Sequence, residues 1–317
     1  VQEDSETGVY PLKWGEYIGQ DVLKKQIQLA ARSARIRRAA CEHILITGAA
    51  GTGKTALAKL AAREMRTHVV EVSGRISTGE VRRTWASLPP RTVIFWDEFH
   101  RAVEGGKKNA EWMLHFLQDG KLLGPFGPEP MPELSIFAAT TDDYLLPDTI
   151  LGRFWRHRMA DYSPADAARI VLVMARKVLV PEDLPLPSKD NARDIAAAAN
   201  RNPRAMLRML KTLRDMAVVD RSVWLGQRYS LDDLFLFAGV TPDGLDTTAQ
   251  EYLIALLREF PDGAGAATLR DRLGEHDLSG VERVLVEKGY IGKTRSGRTL
   301  TSAGIKRAET LMERHAA

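Results

Sequence analysis

Residues 44–62 read Ile44-Leu45-Ile46-Thr47-Gly48-Ala49-Ala50-Gly51-Thr52-Gly53-Lys54-Thr55-Ala56-Leu57-Ala58-Lys59-Leu60-Ala61-Ala62, and three textures follow one another in them. Ile44 to Thr47 is a short apolar run, the pattern of a buried strand. Gly48 to Gly53 is a glycine loop, and from Lys54 onward the residues are good helix formers. A strand that runs through such a loop into a helix start is the setting in which G-x-x-x-x-G-K-[ST] binds phosphate. The glycines let successive backbone N–H groups converge on phosphate oxygens, and the helix N-terminus adds its positive end. The expected nucleotide contacts are Gly48, Ala49, Ala50, Gly51, Thr52, Gly53, Lys54, Thr55 and Ala56. Lys54 would bridge the outer phosphates of ATP, and the Thr55 hydroxyl would ligate Mg2+. A chance glycine-rich turn is the bland alternative, and the flanking strand and helix weigh against it.

A second run complements the first. Val93-Ile94-Phe95-Trp96 is apolar and ends in Asp97-Glu98-Phe99-His100, with Asp97 43 residues after Lys54. A carboxylate at a strand end can reach the metal directly or through water, which makes Asp97 the second expected Mg2+ ligand. Glu98 is placed to orient or deprotonate the attacking water. The competing reading of Glu98 is an acid favoured at a helix N-terminus. The two runs in this order predict a P-loop ATPase.

The remaining composition sets bounds. The chain has 317 residues, 44% hydrophobic and 27% charged, with a net charge of +4. That is enough for two or three domains of an ordinary globular protein, mildly basic, which permits nucleic acid without demanding it. One cysteine, Cys41, excludes an internal disulfide and fits a reducing, cytoplasmic setting. No apolar run reaches the length of a membrane span, and the acidic, polar Val1–Gly8 stretch is unlike a signal peptide.

The chain divides into three expected domains. Residues 1–160 read as an α/β domain, with helical periodicity at 20–40 and strand candidates at 43–47, 68–72, 92–96 and 134–139. Alternating strands and helices imply a parallel sheet covered on both faces. The stretch 119–133, rich in proline and glycine, is a loop or short hairpin. Residues 161–238 carry amphipathic runs at 165–179, 188–200, 203–220 and 230–238 and read as a small helical domain. Ser163-Pro164 marks its first helix start. Residues 239–317 carry three helices, 247–260, 266–273 and 279–288. A hairpin at 289–301 with a Ser-Gly turn follows, which is the winged-helix order. Seven basic residues fall between 283 and 307 (Arg283, Lys288, Lys293, Arg295, Arg298, Lys306 and Arg307). Such clustering is the footprint expected for a phosphate backbone, and equally of a solvated surface on a wing that binds protein.

Several runs together resemble the RuvB family of AAA+ proteins. They are Tyr17-Ile18-Gly19-Gln20, the Gly48–Thr55 loop, Asp97-Glu98-Phe99-His100-Arg101, Ala139-Thr140-Thr141, Arg153-Phe154, Asn202-Pro203-Arg204 and Arg295-Ser296-Gly297-Arg298. The likeness covers residues from about 14 to 310. It implies an AAA+ core, a helical lid and a C-terminal winged helix that drive branch migration on double-stranded or Holliday junction DNA. It also implies a homo-oligomeric ring, a hexamer in the family. Tyr17 and Ile18 would line the adenine pocket, where plain core packing is the other reading. Thr141, with Thr140 beside it, would be the first sensor of the γ-phosphate. Arg204, after Pro203 at a lid helix start, would be the second. Arg153 would be an arginine finger offered to a neighbouring subunit, with Arg156 and Arg158 as rivals. In GTPases such a finger is worth about 10³–10⁵ in rate. Lys293, Arg295 and Arg298 would contact DNA. His100 is read as packing or capping, without a catalytic part.

The departures from the family pattern are local. Leu151 stands where the family has the first arginine of Arg-Asp-Arg-Phe, and Ala49-Ala50 replaces two prolines. The stretch 119–133 is shorter than the hairpin by which the family engages a RuvA-like adaptor, which argues against carrying that docking over. A loader or switch ATPase of the clamp-loader or helicase-loader type, acting on a protein at DNA, is the alternative. The C-terminal wing speaks for the motor.

Overall fold

The computed structural model of the chain describes residues 11, 13–104, 107–124, 127–219, 231–275, 277–294 and 297–316. Contacts divide the chain into two compact units. The first runs to Val173 and includes Asn202–Arg204, and the second holds Met174–Arg201 and everything from Ala205 onward.

The first unit is built on one parallel sheet. Its strands are β1 (Ile44–Thr47), β2 (Val69–Ser73), β3 (Val93–Asp97), β6 (Ser135–Thr140) and β7 (Trp155–Arg158), in the order β2-β3-β6-β1-β7. Every pairing in it is parallel. Four of these strands fall on the runs expected from the sequence. β1, β6 and the first four residues of β3 are buried throughout, as strands covered on both faces should be.

Alternation along each strand assigns the two faces. Ile44, Ile46, Val93, Phe95, Phe137 and Ala139 share a core with Leu23 and Ile27 of α1 (Asp21–Arg37) and with Leu57 and Leu60 of α2 (Lys54–Met65). Leu45, Ile94, Trp96, Ile136 and Ala138 face the other way. They pack with Val81 and Trp85 of α3 (Thr78–Trp85), with short α4 (His100–Val103), with Trp112, Met113 and Phe116 of α5 (Lys107–Asp119), and with Ile150 of α6 (Asp148–Leu151). Rings dominate this second layer. Trp85 meets Trp96 and Phe116 edge-on at centroid distances of 5.7 and 5.3 Å, and Phe99 meets Phe154 at 5.3 Å. Each such buried side chain contributes roughly 1.5–3 kcal/mol.

One strand differs from the sequence reading, and the loop-or-hairpin alternative at 119–133 resolves to a hairpin. β7 has no apolar alternation, because Trp155, Arg156 and Arg158 are exposed on an edge strand. The 119–133 stretch is a hairpin, β4 (Lys121–Gly124) against β5 (Gly127–Pro130), with Lys121 opposite Pro130. Pro128 and Pro130 are tolerated there because a two-stranded ribbon leaves outward N–H positions unpaired.

The helical region follows as α7 (Pro164–Val178), α8 (Lys189–Ala198), α9 (Pro203–Val219) and α10 (Leu231–Phe237). Ser163 caps the first of these, its Oγ accepting from Asp166 N at 3.1 Å. Ser188 does the same for Asn191 N in α8. The C-terminal region has α11 (Thr247–Arg258), α12 (Ala266–Leu273) and α13 (Ser279–Glu287), then the hairpin β8 (Ile291–Thr294) and β9 (Gly297–Leu300). A further helix, α14 (Ser302–Ala316), absent from the sequence reading, closes this core by burying Ala308 and Leu311 against Tyr252, Leu253 and Leu256.

Candidate active site

The glycine loop leaves β1 at Gly48 and enters α2 at Lys54. Gly51 (φ 78°) and Gly53 (φ 103°) occupy the left-handed region, where a Cβ is strained. Gly53 is the N-cap of α2, and no side chain caps that terminus, which leaves its first N–H groups without a side-chain acceptor, as an anion cradle needs. A Cβ on Gly51 would lie 2.5 Å from Asn202 Oδ1, so the loop also has no room for one there. The cradle therefore fits a phosphate chain.

Lys54 is nearly buried, and its Nζ donates to Gly48 O (2.8 Å) and Ala49 O (2.9 Å). Burial pulls its pKa down, Asp97 and Glu98 pull it back up, and Arg204 lowers it again. The ammonium thus lies within electrostatic reach of three further residues singled out from the sequence. Thr55 follows in the first turn of α2, and Asp97 ends β3. These two supply one hydroxyl and one carboxylate oxygen, a hard-donor set suited to Mg2+ completed by water and phosphate.

The rest of the loop is fastened from behind. Thr52 Oγ1 donates to Ala49 O at 2.8 Å, and the Tyr162 hydroxyl donates to Thr52 O at 2.8 Å. Tyr17 is buried in the core, with its hydroxyl 3.5 Å from both Gly53 O and the Tyr162 hydroxyl. Burial raises the pKa of both phenols, keeping them neutral donors. Ile18, next to Tyr17, is half-buried. Gln20 holds the same strap by exchanging two hydrogen bonds with the Ala160 backbone, at 2.6 and 3.1 Å. Tyr162 was missed from the sequence because its part depends on a contact 110 residues away.

The acidic corner has its own geometry. Glu98 sits at φ 50°, a left-handed conformation costing roughly 1–2 kcal/mol for a residue with a Cβ. Glu98 N donates to Asp97 Oδ1 (3.0 Å), and Phe99 N donates to Ala139 O (2.9 Å), which ties the corner to β6. At the end of β6 the two threonines part. Thr140 is buried and faces His100, while Thr141 is exposed with its hydroxyl on Asp142.

Among the arginines, Arg204 stands at the start of α9 behind buried Pro203. Its N–H donates to Asn202 Oδ1 (3.0 Å), while Asn202 Nδ2 donates to Ala50 O (2.8 Å), so this short segment is stitched to the glycine loop. Arg153 is exposed, and its guanidinium donates to Thr149 O and to Gln118 Oε1, each at 2.9 Å.

On the wing, Arg295 lies outside the described residues. Arg298 pairs with Glu282 through Nε (2.8 Å) and Nη2 (3.1 Å), and Lys293 Nζ reaches the same carboxylate at 2.7 Å. Glu282 is buried, and its carboxyl is held below the usual range by these partners against the opposing effect of burial. Lys293 is half exposed, whereas Arg298 is mostly covered.

Comparison with known proteins bears on the same regions. Two family models match: "Holliday junction DNA helicase RuvB P-loop domain" over residues 9–122 and "RuvB C-terminal winged helix domain" over residues 242–309. The Holliday junction branch migration complex subunit RuvB of Streptomyces coelicolor is 32% identical over 315 residues, covering 94% of this chain and 85% of that protein. The same subunit of Thermosipho melanesiensis is 29% identical over 298 residues, covering 90% and 93%. The solved structure of the Thermotoga maritima RuvB Holliday junction branch migration motor aligns with a TM-score of 0.78 at 25% identity, covering 95% of this chain and 98% of that one.

Proposed function

The chain belongs to the RuvB family, and on that premise we propose that it is an ATP-driven motor moving Holliday junction branch points, with nucleotide sites completed between subunits of a ring. The observation that carries the proposal is the meeting of Lys54 with Asp97, Glu98 and Arg204 beside an uncapped helix N-terminus. That grouping offers a phosphate cradle, a metal-side carboxylate, a base and a cation in one place.

In this reading Lys54 exchanges its two carbonyl partners for the outer phosphates of ATP. Thr55 and Asp97 hold Mg2+, which when bound neutralises charge on the phosphate oxygens. Glu98 orients and deprotonates the attacking water. Thr141 reads the γ-phosphate from the end of β6, and Arg204 reads it from the start of α9. Tyr17, Ile18 and Tyr162 border the adenine side. Arg153 leaves Thr149 and Gln118 to reach the site of a neighbouring subunit, where a cation stabilises charge developing in the transition state. We divide the chain accordingly into an ATPase domain (1–160), a lid (161–238) and a DNA-binding wing (239–317). The wing's contacts are Lys293, Arg295 and Arg298, the last fixed in direction by Glu282. Hexameric assembly and a cytoplasmic setting complete the proposal; among the described residues no helix is long and apolar enough to cross a membrane. Docking of a RuvA-like adaptor through the short β4–β5 hairpin is not part of it. The loader alternative is not carried forward, because the matched C-terminal domain is the RuvB wing itself.

Glu98→Gln tests the chemistry. The variant is expected to bind ATP with unchanged affinity, to lose turnover by at least a hundredfold, and to stop moving a synthetic four-way junction. Unchanged ATP hydrolysis by this variant would remove Glu98 from the mechanism. Failure of any DNA form to stimulate the assembled wild-type protein would count against a DNA motor.

A further inference from the structure

We infer that Thr140 and His100 form a positioning relay that aims the Glu98 carboxylate and couples it to the end of β6; the inference rests on the reading of Glu98 as the water-activating residue. His100 is 6% exposed and Thr140 1% exposed, so neither can exchange its partners freely with solvent. Thr140 Oγ1 lies 2.9 Å from His100 Nδ1, and His100 Nε2 lies 3.7 Å from Glu98 Oε2. The imidazole therefore stands between the hydroxyl and the carboxylate, with one ring nitrogen toward each.

Proton bookkeeping fixes the direction of the relay. Asp142 N donates to Thr140 Oγ1 at 3.0 Å, which uses a lone pair of that oxygen. The hydroxyl still has one proton to donate, and His100 Nδ1 is the acceptor within reach. A buried O–H left unused would carry a desolvation cost. With Nδ1 accepting, the neutral ring carries its proton on Nε2, the nitrogen that faces Glu98. A small rotation of the Glu98 side chain closes 3.7 Å to a hydrogen bond with Nε2–H as donor. His100 does not itself touch substrate in this scheme; it sets where the carboxylate points.

Two further contacts make the relay sensitive to β6. Phe99 N donates to Ala139 O at 2.9 Å, so the backbone between Glu98 and His100 is tied to the residue before Thr140. Thr140 itself precedes Thr141, the proposed γ-phosphate sensor. A shift of the strand end on phosphate binding moves Thr140, then the ring, then the carboxylate. The left-handed backbone of Glu98 (φ 50°) shows that this corner is held by its surroundings rather than by local preference.

The test compares Thr140→Val, which keeps shape and loses the hydroxyl, with Thr140→Ser, which keeps the hydroxyl, in the full-length assembled protein. T140V is expected to lower kcat for ATP about tenfold, a fraction of what a positioned base contributes, with KM and the Kd for a fluorescent ATP analogue within about twofold of wild type. T140S is expected to restore kcat. Imidazole nitrogen resonances of His100 are expected to show the Nε2–H form in the wild type and to shift in T140V. An Nδ1–H wild-type ring, equal losses in T140S and T140V, or a loss confined to Kd would each overturn the relay. If E98Q is inactive while T140V turns over normally, the relay fails and the assignment of Glu98 stands. If E98Q is fully active, both fall.

Discussion

His43 shows how one side chain outside the chemistry sets a pH limit on the molecule. It precedes β1, and its Nδ1 accepts from Ile136 N at 3.0 Å. Its ring packs beside Phe116 and Phe154 at centroid distances of 6.2 and 6.0 Å. Burial pushes its pKa down from 6.5 to about 4, with a backbone hydrogen bond to Leu117 opposing. In the unfolded chain the ring takes a proton as pH falls through 6.5, while in the folded chain it resists until about 4. The unfolded state thus binds more protons inside that window, and stability falls with pH across it. The loss is absent above the upper limit and complete below the lower one, about 3 kcal/mol. Urea unfolding followed by tryptophan fluorescence should show the wild type losing that much more than His43→Asn between pH 7 and pH 4. A difference between the two proteins that does not vary with pH would refute the assignment.

At the scale of elements, the glycine loop joins β1, α2 and the start of α9 through close approach. A Cβ on Gly51 would sit 2.5 Å from Asn202 Oδ1 and 2.8 Å from Arg204 Cβ, on a backbone at φ 78°. Gly51→Ala is therefore expected to push Arg204 off the loop and weaken ATP binding about tenfold or more, of order 1–2 kcal/mol. Gly120→Ala is the control, since Gly120 also has positive φ but nothing within 4 Å. Titration with a fluorescent ATP analogue checks both, and equal affinity losses in the two variants would reduce the effect to backbone strain. The elements also show what could be read in advance. β1 and β3 were legible because strands buried on both faces are unbroken apolar runs, and α2 because its helix formers follow the loop directly. β7 was hidden because an edge strand needs no apolar row, and Trp155-Arg156-His157-Arg158 has none. α14 was hidden because its basic residues were read as part of a charge cluster. Arg307 in it is bound to Asp243 instead, through Nε (3.0 Å) and Nη2 (2.5 Å). Lys54, Asp97 and Glu98 were legible as motif spacing, whereas Tyr162, Asn202 and the Thr140–His100 contact depend on which distant segments meet. Pairs such as Asn202 with Ala50, 152 residues apart, leave no local trace.

At the scale of the whole molecule the question is where the arginine finger comes from. Within the chain Arg204 acts electrostatically on Lys54. Arg153 donates to Thr149 and Gln118 of its own chain and is exposed. If it acts in trans, two inactive variants can complement each other. Lys54→Ala removes nucleotide binding but still presents Arg153. Arg153→Ala binds nucleotide but offers no finger. Each alone should fall to a small fraction of wild-type turnover, since a finger is worth about 10³–10⁵ in rate where it has been measured in GTPases. Mixed at equal amounts and reassembled, an intact site is formed wherever an R153A subunit receives the finger of a K54A neighbour. With random mixing around a closed ring that is about one interface in four, so ATPase activity should return to about a quarter of wild type if sites act independently. Activity that stays at the level of the separate variants would place Arg153 in cis or outside the reaction. Recovery that depends on protein concentration, and is lost on dilution below the assembly threshold, would tie the chemistry of Glu98 to the ring rather than to the single chain.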